Sequence, residues 1–184
     1  MIDKVKKYLR GYLGFFIGAV PPLLITVAMI VCFVIEIANG EFEFELAYLI
    51  LLLFPLAVVF LIWGGLDEKK HLDEICNNPN TQGWIVNDFE KSQEVLNGKL
   101  RLGMVYIFGK HSNTILRYED LRQAYIYVHK TNGVEDERKL RVVDIHEKTI
   151  DLCKLKARGK NMEELESVIK YFLYRNPNIK IGYQ

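Results

Sequence analysis

The chain has 184 residues, half of them hydrophobic, with 24 Lys and Arg against 23 Asp and Glu and a formal net charge of +1. That balance excludes the strongly basic surface on which nucleic-acid binding would rest, and three cysteines without motif spacing exclude a disulfide framework. The apolar residues, however, are far from evenly spread.

Residues 1–12 place Ile2, Val5, Leu9 and Tyr12 along one side and Lys4, Lys6, Lys7 and Arg10 along the other. This reads as an amphipathic approach to a membrane, or equally as the end of the helix that follows. Residues 13–35 and 46–66 are two apolar runs without a single Lys, Arg, Asp or Glu. About 20 apolar residues suffice to cross a bilayer, so both are expected to be spans. The first run is too long for the apolar core of a cleaved signal peptide, and no small-residue site follows it. Basic residues precede the first run, and Lys69, Lys70 and His71 follow the second. The connection at 36–45 carries four Glu and no cation. The positive-inside rule then puts both termini in the cytosol and the acidic loop outside, giving a multi-pass protein of the cell membrane.

Within the spans, Gly14 and Gly18 form a small-xxx-small pair that permits close helix approach. Pro21 and Pro22 in the first span and Pro55 in the second fall at similar depths from the cytosolic side. Each removes a backbone donor and displaces an earlier carbonyl, so the breaks are expected to face each other or a partner, not lipid. The absence of ionisable groups argues against transport by this chain alone.

Residues 67–83 read as a juxtamembrane helix and linker, ending in Asn77-Asn78-Pro79-Asn80-Thr81-Gln82-Gly83. The soluble domain is expected over 84–184. Asn87 with Glu90 has capping-box spacing, with Phe89, Val95 and Leu96 as the apolar side and Gly98 as the stop. Five strands are expected at 100–110, 114–118, 123–130, 139–146 and 149–156, separated by turn residues such as Asn132-Gly133. Asn161 with Glu164 opens a helix whose apolar face is Leu165, Val168, Ile169, Phe172 and Leu173, and which ends before Pro177. Residues 178–183 form an extended tail. The fold class is α+β: a two-helix transmembrane hairpin, then an antiparallel β domain with a C-terminal helix.

Three phrases carry a resemblance: Leu102-Gly103-Met104-Val105-Tyr106-Ile107-Phe108, Ile115-Leu116-Arg117-Tyr118-Glu119-Asp120-Leu121, and Asn176-Pro177-Asn178-Ile179-Lys180-Ile181-Gly182-Tyr183. Over residues 99–184 the chain is similar to uncharacterised small membrane proteins of Gram-positive bacteria that have two spans and a cytosolic domain like the pleckstrin-homology (PH) superfold. The resemblance implies a PH-like fold and carries over no catalytic residue.

No phosphate loop, dinucleotide fingerprint, zinc-protease motif or nucleophile elbow is present. Asp67, His71 and Glu74 share a helical face, but mixed charge is what a solvated helix beside a membrane favours; no metal and no cofactor are expected. His111, His129 and His146 form no visible triad. Lys154, Lys156, Arg158 and Lys160 make a basic stretch that would contact anionic headgroups or, on the simpler reading, decorate a strand edge. The expected partners are the bilayer and either another protein or a second copy, with no nucleic acid. The function expected is a non-enzymatic, membrane-anchored interaction or scaffold protein. The alternative is an accessory or immunity subunit of a membrane transporter complex.

Overall fold

In the computed structural model, which describes residues 1–40, 53–110, 112–157 and 161–182, the chain is α+β and divides into two compact units. One, the mixed unit, comprises Met1–Gly11 together with Leu72–Gln184; the other, the apolar unit, is Tyr12–His71. The N-terminal segment, expected to go with the spans, is grouped instead with the mixed unit.

The apolar unit contains α2 (Leu13–Asn39) and, from α3 (Leu53–Asn77), residues 53–71. Among the described residues, α2 is the one helix long and apolar enough to cross a membrane. Its 27 residues span about 40 Å at 1.5 Å per residue. Pro21 and Pro22 lie inside it, and the Thr26 hydroxyl donates to the Pro22 carbonyl at 2.8 Å. Ala19 is its one buried residue, and large apolar side chains such as Ile17 and Leu24 are 70% and 64% exposed. The less exposed positions Phe16, Ala19, Pro22, Thr26 and Met29 repeat every three or four residues and mark one face. The expected acidic loop at 41–45 and the run at 46–52 lie outside the described residues.

In the mixed unit, α1 (Ile2–Tyr8) precedes everything else. After α3 come α4 (Gln82–Lys91), the strands β1 (Gln93–Val95), β2 (Leu100–Leu102), β3 (Tyr106–Gly109) and β4 (Thr114–Arg117), and a 3-10 turn at Tyr118–Asp120. Then follow β5 (Leu121–Thr131), β6 (Val134–Asp144), β7 (Thr149–Lys156), α5 (Asn161–Arg175) and β8 (Lys180–Ile181). The first sheet has the order β1-β2-β3-β4, all antiparallel; the second has the order β7-β6-β5-β8, with β8 parallel to β5.

Both sheets and α5 share one core, built on Leu100, Ile107, Leu140, Leu152, Leu165 and Phe172. α5 buries Leu165, Val168, Ile169 and Phe172, four of the five positions its periodicity predicts; the fifth, Leu173, points outward and is exposed. β3 is buried on both sides. Ile107 faces the shared core, whereas Phe108 turns the other way and meets Phe89 of α4 edge to face, ring centres 5.1 Å apart. Val5, Leu9, Leu72, Cys76, Ile85 and Phe89 are buried too, but lie outside the shared core.

Several expectations change. α4 starts at Gln82, so Asn87 sits inside the helix and caps nothing, and it stops at Lys91. Val95 and Leu96 belong to the β1–β2 hairpin, whose turn holds Leu96, Asn97 and Gly98 at φ of 54°, 56° and 72°. A left-handed Leu is unusual; Leu96 is held there by burial in the core. Gly98 therefore ends a hairpin turn, not a helix. The strand expected over 100–110 is broken after Leu102, and β1 and β8 are additional. β7 and the start of α5 fall where expected.

Candidate functional site

The turn that breaks 100–110 is organised by Asp88 of α4, a buried carboxylate. It accepts backbone N–H groups from Met104 at 2.7 Å, Val105 at 3.1 Å and Tyr106 at 2.8 Å. Three donors on one carboxylate satisfy groups that would be costly to leave unpaired. A Cβ at Gly103 would overlap that carboxylate, so only glycine lets helix and turn approach this closely. The Gly103 carbonyl accepts the hydroxyls of Tyr118, at 3.2 Å, and Tyr171 of α5, at 3.1 Å. Burial pushes the Tyr118 phenol well above the ordinary tyrosine range, so it stays a donor.

The C-terminal end of α5 is pinned independently. Asn176 donates to the carbonyls of Tyr118, at 2.8 Å, and Leu121, at 2.9 Å. Arg175 donates through Nε and Nη2 to the Tyr171 hydroxyl and its guanidinium lies 5.5 Å from the Tyr174 ring centre. Between this helix and β1 lies a groove of about 880 Å³, with Lys91, Gln93, Glu164, Val168, Tyr171 and Arg175 among its walls.

On the opposite side of the first sheet, α1 and the Gly11 that follows it are fixed by packing and by four polar contacts. Lys6 donates to Asp73 at 2.6 Å and to Asn77 at 3.1 Å. The Tyr8 hydroxyl donates to the Gly98 carbonyl, and the Gly11 N–H to Asn113 Oδ1. Arg101 stacks over Phe89 at 4.5 Å. The amphipathic pattern of residues 1–12 is present: on its apolar side Val5 and Leu9 are fully buried, and Ile2 and Tyr12 half-buried. α1 is also a separate short helix, ending before α2 begins.

Comparison with known protein families, with curated proteins and with solved structures finds no match to this chain. The reading of its surfaces therefore rests on their own chemistry.

Lys154 and Lys156 are exposed on β7, an edge strand of the second sheet, opposite Lys139 and Glu137 of β6. Acidic groups are interleaved with them: Lys139 is 3.1 Å from Glu137, and Arg141 is 2.5 Å from Asp151. This is the mixed pattern of a solvated sheet face. Arg158 and Lys160, the other half of the basic stretch, lie outside the described residues, as does His111. His129 pairs with Asp136 at 2.8 Å, away from His146 in the β6–β7 turn. Among the described residues, no three His, Cys, Asp or Glu side chains are placed to hold a metal ion, the set Asp67, His71 and Glu74 included.

In the apolar unit, open space lies over Gly14 and Gly18. Close helix approach occurs instead at Gly64 and Gly65. A Cβ on Gly64 would meet the Phe15 ring at 3.3 Å, and one on Gly65 would meet Phe15 and Phe16 at 3.1 Å. The small residues that mattered were those on α3, where aromatic side chains of α2 needed room. Pro22 and Pro55 are half-buried and Pro21 is exposed. Sequence reasoning missed Asp88, Gly103 and Tyr171 because their roles depend on partners 15 or more residues away.

Proposed function

We propose that this chain is a membrane-anchored, non-enzymatic interaction module: a two-helix hairpin in the bilayer that carries a PH-like domain at the cytosolic face. One observation carries the reading. The residues that precede the apolar unit and those that follow it fold together in the mixed unit. A chain that leaves a folded domain, enters a bilayer and returns to the same domain crosses an even number of times. Two crossings suit the uncharged runs 13–35 and 46–66. Lys4, Lys6, Lys7 and Arg10 on the near flank, against Glu36 at the far end of α2, favour the cytosolic side for the mixed unit.

The PH-like part of the reading is supported by architecture: two antiparallel-containing sheets of successive strands, closed by one amphipathic C-terminal helix. The non-enzymatic part is favoured by how the buried polar groups are used. Buried Asp88, Ser92, Asn113 and Asp144 are all engaged in holding turns and chain ends.

Reporter fusions after Gln184 and within the connection at Gly40 test the topology. A cytosolic-type reporter should be active at Gln184, and an external-type reporter at Gly40. Activity of the external-type reporter at Gln184 would overturn the proposal.

A further inference from the structure

α5 runs beside a strand edge on each of its two sides. On one side the second sheet would end at β5. There the chain's own tail continues it, with Lys180 and Ile181 pairing with Gln123 and Ala124. Glu166, Ile169 and Lys170 of α5 wall that side, leaving a cavity of only about 200 Å³. On the other side the first sheet ends at β1, and no described strand lies beyond it. Glu164, Ser167, Val168, Tyr171 and Arg175 wall this side, and the groove is about 880 Å³. The filled side shows what class of occupant fits between this helix and a strand edge: extended main chain.

The open groove also has a direction. The Tyr171 hydroxyl reaches Gly103, and Leu102 pairs with Gln93. The Lys91 and Gln93 end of β1 therefore lies by the C-terminal end of α5, with Arg175. The Asn97–Gly98 turn lies towards Glu164. From Glu164 to Arg175 the helix covers about 16 Å, the length of roughly five extended residues. One end of the groove is cationic and the other anionic.

We propose that the groove between β1 and α5 receives an extended peptide segment of a partner protein, which adds to the edge of β1 as a strand. The guest has an acidic side chain at the Lys91 and Arg175 end and a basic one at the Glu164 end. Main-chain hydrogen bonds to β1 supply affinity and the two charged ends supply direction. This rests on the reading of the chain as an interaction module and names the partner's chemistry.

The test uses the full chain in detergent and fluorescent five-residue probes. Aspartate and lysine stand at the two ends, with alternating valine and threonine between, in both orders. One order should bind saturably, read by anisotropy. N-methylation of its inner amides should weaken binding at least tenfold, because it removes strand donors. Lys91→Glu and Glu164→Lys, both at exposed positions, should each weaken it about as much, and the double variant should prefer the opposite order. Absence of saturable binding by either order overturns the proposal, and so does binding indifferent to N-methylation or to the charge changes. If the probes fail while the reporter fusions give the expected topology, the strand-addition site falls and the anchored module stands.

Discussion

α2 and α5 are both long helices, but they deal with their apolar residues in opposite ways. α5 keeps them on one face and buries that face against two sheets, leaving Glu163, Glu164 and Glu166 outside. α2 is apolar all round and buries only Ala19. A helix of the first kind is held in place by its protein, because alone in water it would be marginal. A helix of the second kind asks for an apolar surrounding on every side. The difference separates residues whose loss unfolds the protein from residues whose identity matters only as bulk apolar surface.

The largest expected effect sharpens that contrast. Phe172→Ala, at a fully buried position, should destabilise the mixed unit by about 3–5 kcal/mol. Leu24→Ala on α2 should leave its melting unchanged, with both followed by near-ultraviolet circular dichroism in detergent. Equal effects would erase the distinction.

Next comes the boundary between the two kinds of region. Leu9 is close in sequence to α2 but is fully buried in the mixed unit. Leu9→Ala should therefore behave like a core change and cost about 2–5 kcal/mol. No loss of melting temperature would return α1 to the apolar unit's side of the comparison.

Within the apolar unit, packing should matter at one place. Gly65→Leu would crowd Phe15 and Phe16 and should cost roughly 1–3 kcal/mol, in the range of overpacked sites. Gly14→Leu meets open space and should not change helix association within the chain. Engineered cross-linking between α2 and α3 would read both.

The smallest effect concerns alkaline pH and should be confined to the mixed unit. Burial pushes the Cys153 thiol up to about 11 from an ordinary 9.0. A raised folded-state pKa means that the contribution is intact below pH 9 and is lost as pH rises through 11. By pH 10 the loss should be about 1 kcal/mol. Cys153→Ala, compared with the parent in melts from pH 7 to pH 10.5, should flatten this slope.

How much could be read in advance follows the same division. α5 is legible because its apolar positions repeat with a helical period and Asn161 marks its start. The Asn132-Gly133 turn is legible because both residues adopt positive φ, as that pair of types invites. The region 84–110 was not, since each local signal there has two meanings. Gly98 suits a helix stop as well as a hairpin turn, and Leu102 to Phe108 form an apolar run such as a buried strand would have. The break between them depends on Asp88, reaching across from α4. Residues 1–12 show the limit most clearly. Their period identifies the apolar face of α1, and a period says nothing about what will cover it. The candidate groove was illegible for a related reason: β1 is three residues long, too short for any pattern, and its relation to α5 exists only in three dimensions.

The N–H of Gly11 donates to Asn113, 102 residues further along. At a synthesis rate of about 5–20 residues per second, that partner is made roughly 5–20 s after Gly11 itself. The segment that carries α1 therefore waits for a partner made long after it. Until then this contact of the N-terminal flank stays unmade, although the intervening 60 residues, Tyr12–His71, have already been synthesised. The two flanks can close around each other only once the whole of Tyr12–His71, which lies between them in the chain, has been made.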